Sequence, residues 1–131
     1  MSGPQNTMRT PLGRVRHHGA SGEGTGHFIA SRWTGIALAV LAPWFVVNAA
    51  LSIGPSYASV IDFLTDPVNA VGVILLVAVM FYHMALGMQE VIVDYILKPF
   101  TKIALMLLNG FGLTVLAAGA IFAVLLVNFG A

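Results

Sequence analysis

The sequence predicts an all-α integral membrane protein with three transmembrane helices. Hydrophobic residues make up 58% of the 131-residue chain and charged residues only 8%. A typical soluble domain carries about a quarter charged residues, so this chain cannot cover its own surface with polar groups. The few charges also divide the sequence into three uncharged runs, at 33–61, 68–89 and 103–131. Each run reaches the ~20 apolar residues that a helix needs to cross a hydrocarbon core of roughly 30 Å. Without water, every backbone N–H and C=O must find its partner inside the segment, and a helix provides that.

Residues 1–32 read as a cytoplasmic N-terminal segment and 33–131 as the membrane domain. The segment is rich in Gly, Ser, Thr and basic residues, including the stretch GASGEGTG. It has no apolar run ending in a small-residue cleavage site, so no signal peptide is expected and the first span is retained. Helices are expected at about 33–53, 68–93 and 103–128. Gly54-Pro55-Ser56 ends the first, because glycine and proline stop helices and serine suits a turn. Pro43 falls inside that helix, where membrane proteins tolerate a kink if neighbours satisfy the freed carbonyl. The connection that follows carries Asp62 and Asp66 and reads as a loop.

Charge orients the spans. Arg9, Arg14, Arg16 and Arg32 precede the first helix, Lys98 and Lys102 lie between the second and third, and the first loop has no Lys or Arg. All six positive charges therefore fall on one side. The excess of Lys and Arg in cytoplasmic segments then predicts a cytoplasmic N-terminus and an outside C-terminus.

Composition excludes several functions. With no cysteine, the chain cannot form a disulfide, hold an iron–sulfur cluster by itself or use a thiol nucleophile. A metal would have to be held by histidine or carboxylate. A net charge of +1 argues against nucleic acid as a partner.

Chemistry concentrates in the second span, FYHMALGMQEVIVDYILKPF. His83 is about 15 residues from the outer end of that helix, roughly 22 Å at 1.5 Å per residue, past the middle toward the cytoplasm. An ionisable group at that depth is a functional candidate. It serves either as a histidine hydrogen-bonded to a neighbouring helix or as an axial ligand to haem iron. Gly87 follows one turn later on the same face, where a missing side chain lets a flat macrocycle approach or lets helices pack closely. Glu90 and Asp94 continue that face, and Tyr95 follows at the interface. Tyr95 fits an aromatic belt, or offers a phenol donor to a quinone head beside the Asp94 acceptor. Arg32, at the start of the first helix, is either a snorkelling residue or a partner for a propionate or quinone oxygen. A cofactor-free scaffold, and a small channel using His83, Glu90 and Asp94 as a relay, are the competing readings.

The order His83, Gly87-Met88, Asp94-Tyr95, Lys98-Pro99, together with GTGHFIASRWTGIAL ahead of and into the first helix, resembles the smaller hydrophobic membrane-anchor subunit (D type) of succinate dehydrogenase, respiratory complex II. The resemblance covers nearly the whole chain from His27 onward. His27 and Phe28 are adjacent here, whereas some relatives have a residue between them, so no role is carried to His27. The resemblance implies a complex in which a flavoprotein oxidises succinate, an iron–sulfur subunit passes the electrons on, and two anchors hold haem b and the ubiquinone site. It matches His83 to the haem ligand, Tyr95 to the quinone-binding tyrosine, Asp94 to its neighbour in that site and Arg32 to an arginine near the haem propionates. An anchor of a fumarate reductase is close in kind. The expected location is a bacterial or mitochondrial inner membrane. Because only one histidine lies deep in the membrane, the second axial ligand of a bis-histidine haem must come from a second, cytochrome b-type anchor subunit.

Overall fold

The computed structural model describes residues 23–130, except for the side chain of Glu23. Arg9, Arg14, Arg16 and most of the 1–32 segment lie outside the described residues. Four helices follow in order: α1 (Glu23–Ser52), α2 (Tyr57–Thr65), α3 (Pro67–Tyr95) and α4 (Pro99–Phe129). Of these α1, α3 and α4 are long and apolar enough to span a membrane, in agreement with the three expected spans. At 1.5 Å per residue, helices of 29 to 31 residues run to roughly 45 Å, so their ends project beyond a hydrocarbon core of about 30 Å.

α1 begins ten residues before the expected position 33, and runs through Gly24 and Gly26. Glycine weakens a helix on its own, but here α3 extends alongside to Tyr95 and gives the first turns of α1 a surface to pack on. Arg32 is consequently not at the start of the helix. It sits nine residues inside.

The expected loop between the first two spans is largely helical. Ser56 caps α2 by accepting a bond from the Ser59 N–H at 3.3 Å, and Phe63, 4% exposed, packs edge-on against Phe45 of α1 with ring centroids 6.3 Å apart. Asp66 then caps α3, its carboxylate accepting from the Asn69 N–H at 3.0 Å, and Pro67 starts the helix where its missing N–H costs nothing.

The three spans form a single row. α3 is central and packs against both α1 and α4, while α1 and α4 do not touch among the described residues. Trp44 of α1 lies over Gly72 of α3, where any side chain would collide with the indole. Amide and ammonium groups tie the remaining joints: Asn109 Nδ2 donates to the Ala85 carbonyl at 2.9 Å, Asn128 Nδ2 to Leu64 at 2.8 Å, and Lys102 Nζ to Val93 at 3.0 Å in the last turn of α3. Such interhelical bonds contribute about 0.6 kcal/mol each in membrane proteins. The short α2 packs against all three spans at one end of the row.

Candidate functional site

α1 and α3 run antiparallel, and two polar pairs fix their register. Thr34 Oγ1 and His83 Nδ1 are 2.8 Å apart; seven residues away along both helices, His27 Nδ1 and Glu90 Oε1 approach to 3.4 Å. Seven residues are nearly two whole turns, so His27 and Thr34 share one face of α1, and Glu90 and His83 share one face of α3.

His83 is partly buried between the two helices. Its Nδ1 is engaged by Thr34, while Nε2 makes no hydrogen bond among the described residues and is not sealed from the surface. Gly35 lies beside the ring: a Cβ there would stand 3.6 Å from His83 Cε1, an ordinary van der Waals contact. Gly87, one turn along α3, differs from Gly72. A Cβ added to Gly87 would meet nothing within 4 Å. Packing among the described residues therefore does not require a glycine at 87.

The face continues as the sequence suggests. His27, Glu90 and Asp94 line a recess of about 280 Å³ at the start of α1 and the end of α3. Nε2 of His27 is enclosed and has no hydrogen-bond partner among the described residues. Tyr95 turns elsewhere. It lines an apolar groove of about 480 Å³ between α3 and α4, with Met88, Ile92, Leu108 and Asn109. Asp94 and Tyr95 are thus neighbours in sequence that open onto different grooves, as the 100° step between adjacent helical residues requires. The phenol makes no hydrogen bond among the described residues, and Tyr95 is 78% exposed.

Arg32 is not brought to His83. It lies roughly 160° around α1 from Thr34, and its guanidinium stacks over Phe28 at 4.8 Å, reaching toward the N-terminal end of the helix. An arginine that extends along its own helix in this way carries its charge out of the hydrocarbon.

The family model for the succinate dehydrogenase/fumarate reductase transmembrane subunit matches residues 6–127. The chain belongs to this family. A succinate dehydrogenase hydrophobic membrane anchor subunit of Paracoccus denitrificans is 32% identical over 122 residues, covering 93% of this chain and 94% of the relative. The subunit of the same name in Rickettsia felis is 32% identical over 77 residues, which cover 59% of this chain and 64% of that protein. That of Rickettsia conorii is 30% identical over 90 residues, 68% of this chain and 71% of the relative. No solved structure gives a significant match. The family and the three apolar helices together fit a multi-pass inner-membrane protein.

Thr34 was not singled out from sequence, although the Arg32-Trp33-Thr34 order belongs to the resemblance. Asn109 was missed as well. Both act through partners on other helices, so only a known helix register would have exposed them.

Proposed function

We propose that this chain is a membrane-anchor subunit of a succinate:quinone oxidoreductase, in which His83 supplies one axial ligand to a haem b shared with a second anchor subunit. The observation that carries the reading is the division of labour on the His83 ring. Among the described residues, Nδ1 is held by Thr34, and Nε2 is left without a partner on a face where Gly87 leaves the helix surface bare. A ligating histidine is commonly held in this way, one ring nitrogen fixed by a hydrogen bond and the other presented to the metal. The residues fit the group: His83 has one ring nitrogen without a partner among the described residues, and a porphyrin needs only one ligand from each side. The haem would supply a one-electron carrier within the membrane.

Tyr95 is proposed as the donor to a carbonyl oxygen of ubiquinone, which enters along the groove between α3 and α4. Asp94 lines the neighbouring recess with His27 and Glu90, where protons can be exchanged with the aqueous side. Arg32, facing away from α3, would meet an anionic group such as a haem propionate from the partner side of α1. Attachment of the flavoprotein and iron–sulfur subunits at the positively charged end, with the N-terminus cytoplasmic, completes the proposal.

One observation favours a cofactor-free scaffold instead: the Thr34 bond already gives His83 a partner on a neighbouring helix. The two readings separate on a reduced-minus-oxidised visible spectrum of the complex co-expressed with its partner subunits. A b-type band supports the proposal, and its absence from an assembled, active complex supports the scaffold. The direction of succinate–fumarate turnover follows from assaying both reactions on the same membranes.

A further inference from the structure

The Thr34 hydroxyl has one proton and three close neighbours. It lies 2.8 Å from the Ala30 carbonyl and 3.1 Å from the Ser31 carbonyl, both on its own helix, and 2.8 Å from His83 Nδ1. Carbonyl oxygens can only accept, and two of them lie within reach of the hydroxyl proton. With that proton given to the Ala30 carbonyl, the oxygen accepts toward His83 and Nδ1 carries the ring hydrogen. That leaves the lone pair on Nε2, which has no hydrogen-bond partner among the described residues. The opposite tautomer would put the ring hydrogen on Nε2 and cost the bond from Thr34 to Ala30.

We propose that Thr34 is the positioning residue for the His83 ligand, selecting its Nδ1–H tautomer and lowering the reduction potential of the iron bound at Nε2. This deepens the haem reading above and rests on it. An imidazole whose Nδ1–H donates to an oxygen is a stronger electron donor through Nε2, and stronger donation favours ferric over ferrous iron. The device is compact: one turn of α1 provides both the oxygen and the carbonyls that polarise it.

The test uses the full complex, co-expressed with its partner subunits and titrated potentiometrically in membranes. Thr34→Val keeps the shape and removes the acceptor; Thr34→Ser keeps the acceptor. The expected result is retained haem in both variants, an upward shift of the haem midpoint potential in Thr34→Val, and a midpoint close to the parent in Thr34→Ser. An unchanged or lower midpoint in Thr34→Val with full haem content overturns the proposal. Should Thr34→Val lose haem, retention with the parent midpoint in Thr34→Ser supports a role for the hydroxyl, and loss in both variants makes position 34 a packing site and overturns it. His83→Ala is run alongside. If haem survives that substitution, the ligand reading itself fails; if haem is lost there while Thr34→Val leaves the midpoint unmoved, only the role of Thr34 fails.

Discussion

His27 and Glu90 face each other across α1 and α3 at 3.4 Å, seven residues outward from the Thr34–His83 bond on both helices. The pair sets the antiparallel register that brings a threonine of one helix against the histidine of the next. Because the chain contains no cysteine, the register can be read without background. A His27→Cys/Glu90→Cys double variant should be bridged within the chain by a short bifunctional thiol reagent, seen as the mass of one linker with no free thiol left. An Arg32→Cys/Glu90→Cys control should not be bridged, since Arg32 lies on the far side of α1. Crosslinking of the control with equal yield would show that the helices are not held in this register.

The two glycines of α3 should behave in opposite ways. Gly72 lies under the Trp44 indole, so Gly72→Val forces the helices apart. Overpacking of this kind costs about 1–3 kcal/mol. A lower unfolding temperature of the complex in detergent checks it. Gly87→Ala meets nothing within this chain and should leave that temperature unchanged, while Gly87→Leu should insert normally yet lose or shift the haem band. A stability loss in Gly87→Ala as large as in Gly72→Val would indicate that Gly87 is a packing residue.

These contrasts also mark what the sequence could and could not reveal. The three spans were legible because hydrocarbon demands about 20 apolar residues per helix, a requirement visible in composition alone. The His83, Gly87, Glu90, Asp94 face was legible too, since it follows from helical period within one element. The start of α1 lies ahead of the expected position, because EGTG has the composition of a linker and its helical state depends on α3 lying beside it. α2 falls where a loop is expected, although Ser56 is its cap and Phe63 its buried residue. Thr34 and Asn109 could not be recognised from sequence, because what they bond to is set by the packing of helices 24 to 49 residues apart in the chain.

Tyr95→Phe keeps the ring in the α3–α4 groove and removes the hydroxyl. The variant should assemble, retain haem and oxidise succinate with an artificial acceptor that bypasses the membrane. Succinate–quinone activity should fall severalfold, in line with a lost hydrogen bond of about 1 kcal/mol. Both activities are measured on one membrane preparation. Equal loss of the two would assign Tyr95 to assembly, and no loss in either would assign it to the interfacial aromatic belt.

Arg32→Gln leaves five of the six positive charges on the same side of the membrane. Orientation should be retained, while haem potential or quinone affinity changes. Labelling of a single Ser59→Cys thiol by an impermeant maleimide from the outer side reports the orientation. Labelling only after the cytoplasmic side is opened would invert the proposed topology.

The central claim is that His83 is an axial ligand, and its most direct test is the reduced-minus-oxidised spectrum of the complex carrying His83→Ala, normalised to the amount of assembled iron–sulfur subunit. No other histidine among the described residues of the spans can replace it, since His27 lies a further turn beyond the Gly87 face with its Nε2 enclosed. The b-type band should be lost or strongly shifted while assembly persists. An unaltered band at full assembly would contradict the assignment.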